Sequence, residues 1–410
     1  MAFPANAADI EVCVAYGANL ASDLTTLTYS PNLALTHVQP GIVITRGRIG
    51  GAGQTQPTSI AFGLKNPGGV FSPRNITGPH YGQLRRNTPV RVRVDPGTGM
   101  VTRGIAYLPD WPTRWTGPDI DDNIQMQASG ALRRLGAGSE PKSAQRRSLP
   151  LTGPAAYWPI EDGAIATQVA SALTGGTPMT TTGVVKFASA SGALGSAPVA
   201  DMSTGGQLFG VIPATASLSY RVEFNFIMKV LPAGGFNSMV QWTTPGGGTA
   251  LWEVDADETG LYLQYLDTAG GSALYASNVR VDNNTWHHVR GDLAKNGANT
   301  SVTVTLDNVV VVTSAATAPA YAAPAQIIVN PTGSPDEELP AVGHLIAWTP
   351  WVSGINTYGA FIGFAGEPAV NRVTRLCGEE GISVDVTPGV SELMGPQLPG
   401  IITDLLRECE

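Results

Sequence analysis

One stretch of the sequence concentrates carboxylates at a spacing that could support chemistry: Glu253-Val-Asp255-Ala-Asp-Glu258. On a strand, residues i and i+2 share a face roughly 7 Å apart at the backbone. Retaining glycoside hydrolysis uses two carboxyls about 5–5.5 Å apart, one as nucleophile and one as acid/base. The following residues, Asp257-Glu258-Thr259-Gly260, have turn composition, so the third acid is expected to leave the sheet. Charges near the end of a hairpin are then the plainer reading. Tyr262 and Gln264 join Glu253 and Asp255 on one outward face. An aromatic ring can stack on the apolar face of a sugar, while carboxylates and amides hydrogen-bond its hydroxyls. These four residues are the candidate glycan contacts, weighed against plain surface residues.

Other motifs carry less. Trp286-His287-His288 suggests metal binding, but adjacent strand residues point to opposite faces and His344 is far away in sequence. No Ser-His-Asp set has the strand–turn–helix setting of a nucleophile elbow. Gly246-Gly247-Gly248 and Gly50-Gly51-Ala-Gly53 lack the Lys-Ser/Thr and helix of a phosphate cradle. Cys13, Cys377 and Cys409 are an odd, scattered set, neither a disulfide framework nor a zinc site. No catalytic residue and no metal ligand are proposed, and no cofactor is required.

The elements that must position these residues follow from composition and periodicity. The chain has 410 residues, 14% charged and 43% hydrophobic, with 49 Gly and 31 Pro. The apolar content excludes disorder, and the lack of a Gly-X-Y period excludes collagen. A turn-rich, mainly β protein of two or three domains remains. Residues 1–149 hold 15 Lys+Arg against 9 Asp+Glu, whereas residues 150–410 hold 9 against 23. The basic part has no long cationic run, so nucleic acid is not the expected partner. No segment approaches the roughly 18 apolar residues of a membrane helix. The first residues lack the pattern of a signal peptide, which predicts folding in a reducing cytoplasm.

Ile10, Val12 and Val14, then Ile60, Phe62 and Leu64, then Val90, Val92 and Val94 alternate as half-buried strands do. Asn66-Pro67-Gly68-Gly69 and Asp95-Pro96-Gly97 are turns between them. This pattern suggests a barrel or sandwich, with one short helix at Ala128–Leu135. Arg91 and Arg93 oppose the valines as a basic stripe, either a docking edge for an acidic partner or a solvated face.

From Tyr157 to about Phe364 the chain is again strand. One hairpin register sets Trp252 opposite Tyr265 and Val254 opposite Leu263, with a four-residue loop from Asp257 to Gly260. Val302, Val304 and Leu306 lead into Asp307-Asn308, of type I′ composition, and Val309 and Val311 return on the same face. Two packed sheets result. Val370–Glu380 and Gly400–Glu410 are helical, the second with Ile401, Ile402, Leu405, Leu406 and Cys409 on one face. Acidic residues at its end, and no Gly cap, suggest a chain that continues past Glu410.

Three resemblances add to this. Glu253 to Glu258 resembles the active strand of laminarinase-like jelly-roll glycoside hydrolases, which implies a cell-wall glycanase as an alternative. Thr285-Trp286-His287-His288-Val289, Val302–Leu306 with Asp307-Asn308, and Val342-Gly343-His344-Leu345-Ile346-Ala347-Trp348 resemble laminin-G-like (concanavalin A-like) domains. That implies a jelly roll over 150–365 which binds glycans or proteins and in some members calcium. Ile44-Thr-Arg46-Gly47-Arg48, Leu64 through Asn75 and Tyr81 through Arg91 resemble minor tail proteins of actinobacterial siphophages. Gly104, Trp111-Pro112, Trp115 and Ala128–Leu135 extend that likeness, and Tyr157–Gly163 resembles the lead-in to an inserted laminin-G-like domain. Gly366-Glu367, Arg372–Leu376, Met394–Gln397 and Leu405-Leu406 resemble the scaffold resuming.

The tail resemblance implies a virion structural protein of the tail tip or baseplate, assembled in the host cytoplasm. Its β-rich hub scaffold would comprise 1–149 and 366–410, with the jelly roll inserted at 150–365. Implied partners are the distal tail ring, the tape measure, further tail-tip proteins and host cell-surface glycan. The resemblance further implies a homo-oligomer, a trimer for a hub. A secreted adhesin or lectin is the remaining alternative, disfavoured by the missing export signal.

Overall fold

A computed structural model describes residues 9–19, 24, 26–48, 55–111, 122–136, 140–244, 250–267, 270–318, 322–333, 335, 341–351, 354–382, 384–386, 389 and 391–410. Pro112, Trp115 and the glycine runs at 50–53 and 246–248 lie outside them. The chain divides into two compact units: Met1–Glu140 with Arg372–Pro388 and Ile401–Glu410, and Pro141–Asn371 with Gly389–Gly400. The borders differ from those expected at 149/150 and 365/366. Residues 141–149, 366–371 and 389–400, Gly366-Glu367 and Met394–Gln397 among them, fall in the second unit.

Among its described residues the first unit has six strands: β1 (Asp9–Val14), β2 (Val43–Arg48), β3 (Thr55–Asn66), β4 (Thr88–Asp95), β5 (Val101–Leu108) and β6 (Asp122–Ser129). They form one antiparallel sheet in the order β1-β4-β5-β6-β3-β2. The alternating residues Val12, Val14, Ile60, Phe62, Leu64, Val90 and Val92 are buried together, and Phe71, Leu84 and Trp111 from loops complete the core. Ile10 departs from the pattern and is largely exposed. The outer edge of β1 is closed by side chains. Asn32 accepts from Val12 N–H and donates to Ile10 C=O, both at 2.9 Å, and Ser30 accepts from Val14 N–H at 3.1 Å. Capping an edge in this way blocks strand addition there.

The helix expected at Ala128–Leu135 begins later, at Ala131, and runs to Gly136. Ala128 and Ser129 still belong to β6, paired with Ile60 and Ser59. Gly130 permits the change of direction, because a Cβ there would sit 3.1 Å from the Thr58 backbone nitrogen. The C-terminal helix, Ile402–Glu408, buries Ile402 and Leu405 against Leu135 and Leu376, as its apolar face requires.

The second unit is a sandwich of two antiparallel sheets. Its strands are β7 (Ala156–Trp158), β8 (Thr180–Thr182), β9 (Lys186–Ala190), β10 (Val199–Asp201), β11 (Gln207–Val211), β12 (Ser219–Ile227), β13 (Phe236–Thr244) and β14 (Ala250–Asp257). There follow β15 (Gly260–Asp267), β16 (Ser272–Ala276), β17 (Trp286–Asn296), β18 (Asn299–Leu306), β19 (Val309–Ala318), β20 (Gln326–Val329) and β21 (Ala341–Trp348). One sheet runs β19-β18-β17-β12-β21-β10-β9 with β7 beside β21, and the other β16-β15-β14-β13-β20-β11-β8. Between them lies a core built around Trp158, Trp242, Trp252, Phe224 and Phe226. This is the expected mainly β, jelly-roll class of fold, with short helices near the C-terminus.

The β14–β15 hairpin has the expected register, with Trp252 opposite Tyr265, Val254 opposite Leu263, Glu253 opposite Gln264 and Asp255 opposite Tyr262. Its turn is tighter than expected: Asp257 pairs with Gly260, leaving Glu258-Thr259 as a two-residue loop. Asp307 and Asn308 both have positive φ, +48° and +67°, as a type I′ turn needs. Beyond that turn the register shifts. Val304 pairs with Val312, not Val311, and Val309 is 63% exposed. The extra residue is a bulge, which turns the start of β19 away from the core.

Candidate functional site

The outward face of the seven-stranded sheet is open, and its registers align residues into rows. One row crosses all seven strands: Leu274, Gln264, Glu253, Gln241, Ile328, Phe209 and Thr180. Beside it run Ser272, Leu266, Leu251, Thr243, Gln326 and Val211. Every one of these residues is exposed or half-buried. Neither row contains a Lys or Arg. Apolar Leu, Ile, Val and Phe share the rows with amides, hydroxyls and one carboxylate. Such a surface can cover C–H faces and hydrogen-bond hydroxyls in the same ligand.

Glu253 and Gln264 therefore sit mid-sheet on the open face. Asp255 does not. It lies in a third row with Ala276, Tyr262 and Ser238, and is fully buried. Neither of its carboxyl oxygens has a hydrogen-bond partner. Burial, reinforced by the neighbouring Glu253 charge, pushes the Asp255 carboxyl up to about 8. Ser238 has one hydroxyl proton, which it gives to Glu253; its opposing pull on Asp255 is the weakest of the three influences. Asp255 is thus a neutral acid beneath the face at pH 7, a correction to its expected role as an exposed contact.

Tyr262 is likewise committed. Its hydroxyl bonds Asp257 at 2.9 Å and also meets Thr259. Asp257 accepts in addition from Thr259 N–H at 2.7 Å and Gly260 N–H at 3.0 Å, so this hydroxyl closes the turn. Glu258 is exposed on that turn and accepts from Gly234 N–H at 3.2 Å. The three acids consequently do not line one strand face as the laminarinase-like pattern requires. Gln241, Thr243, Phe209, Gln326 and Ile328 were not foreseen. Alternation marks their outward positions, but the adjacency of β13, β20 and β11 has no local signal.

The opposite outer face, that of the eight-stranded sheet, is covered by Leu149, Ala360, Phe361, Trp351 and Ile355 packed on Tyr157, Ile346 and Trp348. Beneath them Arg221 pairs with Asp292 and, at 3.2 Å, with Glu223, and donates to Ile355 C=O at 2.9 Å. Glu223 accepts from Thr357 at 2.6 Å and meets His288 Nε2 at 3.2 Å. His287 turns instead to Asp307 at 2.7 Å, so the two histidines diverge as strand geometry predicts.

His344 sits at a bulge in β21 with φ of +52°. Its Nδ1 meets the Tyr157 hydroxyl at 2.9 Å and its Nε2 the Ser196 hydroxyl at 2.8 Å. Glu161 accepts from Ser196 at 2.8 Å, Ala197 N–H at 2.7 Å and Ser143 at 2.9 Å. Burial alone would raise the Glu161 carboxyl; His344 and these donors outweigh it and hold the group below its ordinary range. Serine, histidine and acid thus meet, unforeseen from sequence. The acid lies on the serine side of the imidazole, with a tyrosine at the other nitrogen, and His344 is fully buried. A hydrolytic triad instead needs the acid on the far nitrogen and an accessible serine.

Arg91 and Arg93 are not an edge. Their strand β4 lies between β1 and β5. Arg93 pairs with Glu11, and Arg91 covers the Tyr29 ring at 4.0 Å. Both are half-buried and take part in cross-strand packing within the unit, so the edge expected of them is absent. Cys13, Cys377 and Cys409 are free thiols. Among the described residues no three His, Cys, Asp or Glu side chains converge on a metal site, and no helix is long and apolar enough to cross a membrane.

No protein-family model and no curated protein matches the chain. Solved structures resemble it distantly. Domain 4 of AbnA, a GH43 extracellular arabinanase from Geobacillus stearothermophilus, in complex with arabinotriose, is 14% identical with a TM-score of 0.36, over 51% of this chain and 96% of that one. The botulinum neurotoxin serotype C1 binding domain is 11% identical with a TM-score of 0.34, over 50% and 51%. Trypanosoma rangeli sialidase in complex with sialic acid is 10% identical with a TM-score of 0.34, over 78% and 52%. The chain spans about half the length of the latter two structures. Likenesses this distant carry no reading of the site.

Proposed function

We propose that the chain is a structural component of a long-tailed phage tail tip or baseplate, whose jelly roll holds host cell-surface glycan on the open face of the seven-stranded sheet. The observation that carries the glycan reading is the pair of cation-free rows centred on Glu253, Gln264 and Gln241. The tail reading draws on the motifs at 44–48, 64–75 and 81–91, all within the first unit, and on Arg372–Leu376 and Leu405-Leu406, which return to it after the sandwich. Interrupting one unit with a separately cored sandwich suits a scaffold that presents a binding module. The chain would act beside other tail proteins as a homo-oligomer, binding without catalysis.

Two experiments test this. Cryo-electron microscopy of purified source particles is expected to show the chain at the tail tip; its absence from the particle overturns the tail reading. Retention on host cell-wall polysaccharide is expected to fall at least tenfold, about 1.4 kcal/mol, in Glu253→Ala and Gln241→Ala. Unchanged retention in both variants removes the sheet face as the site. Release of reducing ends by the wild-type chain, lost in Glu253→Gln, would establish the glycanase instead.

A further inference from the structure

From Leu24 to Val94 the chain holds eight Lys and Arg and not one Asp or Glu. Within that stretch the connection between β3 and β4, residues 67–87, is long for a loop whose only regular element is the 3-10 turn Pro67–Gly69, a class that is usually functional. It is nevertheless tightly built. Asn66 accepts from Phe71 N–H at 2.7 Å, and Asn75 donates to both Gly68 and Gly69 C=O at 3.1 Å. Successive turns follow, Ser72 N–H to Gly69 C=O at 3.0 Å, Asn75 to Ser72 at 3.1 Å, Gly78 to Asn75 at 3.0 Å and Tyr81 to Gly78 at 3.1 Å. Phe71 and Leu84 anchor it in the core, and His80 stacks on Tyr16 with ring centroids 3.9 Å apart.

With its inner side fixed, the loop presents Arg74, Ile76, Tyr81, Arg85 and Arg86 outward. Ile76 is 74% exposed and Tyr81 53%. Arg85 and Arg86 spend their Nε on Gly82 and Pro109 carbonyls, at 3.0 and 3.4 Å. None of the three arginines forms an ion pair with a described residue. Arg and Tyr are the residues that dominate protein interfaces, and a loop already ordered loses little conformational freedom on docking. We propose that this loop is a docking surface for the acid-rich second unit of a neighbouring copy of the chain. That unit holds 17 Asp+Glu against 9 Lys+Arg, and with the buried Glu161, Glu223, Asp255, Asp282, Arg147 and Arg221 set aside 13 acids remain against 7 cations, which supplies the charge complement. The choice of a second copy rests on the reading of the chain as an assembling component; the loop's chemistry does not.

The test is sedimentation velocity of the full chain across a concentration series, at about 50 mM and about 500 mM salt. Wild type is expected to self-associate at low salt and dissociate at high salt. Arg74→Ser/Arg85→Ser/Arg86→Ser is expected to weaken association at least tenfold with an unchanged unfolding midpoint, and Tyr81→Ala to weaken it less. A wild-type chain monomeric at every concentration overturns the proposal. So does association that persists in the triple variant, which would leave the homo-oligomer reading standing through another surface. Binding of a duplex oligonucleotide without self-association would assign the loop to nucleic acid and also overturns it. Detection of the chain in particles is independent of all three outcomes.

Discussion

The two outer faces of the sandwich carry similar polar residues and put them to opposite use. On the eight-stranded sheet Arg221, Glu223, His288 and Asp292 lie beneath a lid formed by Leu149, Trp351, Ile355 and Phe361 and pair with one another, although Glu223 Oε1 has only the Arg221 charge and His288 Nδ1 has no hydrogen-bond partner. On the seven-stranded sheet Glu253, Gln264 and Gln241 lie open, and one acid beneath them, Asp255, has no partner. A polar residue on the outer face of a strand has no fixed meaning. Whether it is a structural ion pair or a ligand contact depends on what packs over it.

Breaking the covered network gives the largest expected effect. Arg221→Ala leaves the buried Glu223 without its guanidinium and Asp292 with Arg290 alone, and should cost about 3–5 kcal/mol in denaturant unfolding. A loss below about 1 kcal/mol would mean that the face is wet, because exposed pairs contribute only that much.

Asp255 gives the next effect, through pH. Its folded carboxyl titrates at about 8 against an ordinary value of 3.8. The folded state holds a proton that the unfolded state releases, so stability should fall as pH rises from about 4 to about 8, and level off above. The slope approaches about 1.4 kcal/mol per pH unit. Asp255→Asn should flatten it and stabilise the protein at pH 8. An unchanged slope in that variant would show that the group is ionised in the folded state. Glu253→Gln should narrow the fall by removing the like charge, so that stability levels off at a lower pH.

Glu161 has the opposite sign. Its folded carboxyl is held below its ordinary range, so its contribution is present above the unfolded value and lost as pH falls through the folded one. Glu161→Gln should reduce the steepness of acid unfolding while leaving the Asp255 slope in place. The smallest effect belongs to the open face itself. Gln264→Ala should change stability by less than about 0.5 kcal/mol, since little packs on it. A larger loss would show that the face is covered after all.

Much of the architecture was legible in the sequence because its causes are local. Period-two alternation placed Ile60, Phe62 and Leu64 in a core. Parity placed Trp252 opposite Tyr265, and Asp307-Asn308 could take two positive φ angles where most residues resist them. The same logic failed where a bulge inserted one residue, at Val311, and where a strand ran on to Ser129 through a helix-like composition. The outward parity of Glu253 and Gln264 was legible for the same reason.

Tertiary structure alone decided the rest. Burial is set by elements distant in the chain, so nothing near Asp255 announces that it is sealed, and nothing near Arg91 that β1 covers its edge. His344 meets Ser196 across 148 residues and Glu161 across still more, and Gln241 meets Ile328 across a strand order that pairs β13 with β20. A side chain's type and parity are local properties, whereas its solvation and its partners belong to the surface packed against it. The sequence determined a β sandwich with acids and amides on its outer strand faces. Packing decided which of those faces was covered and which was left open.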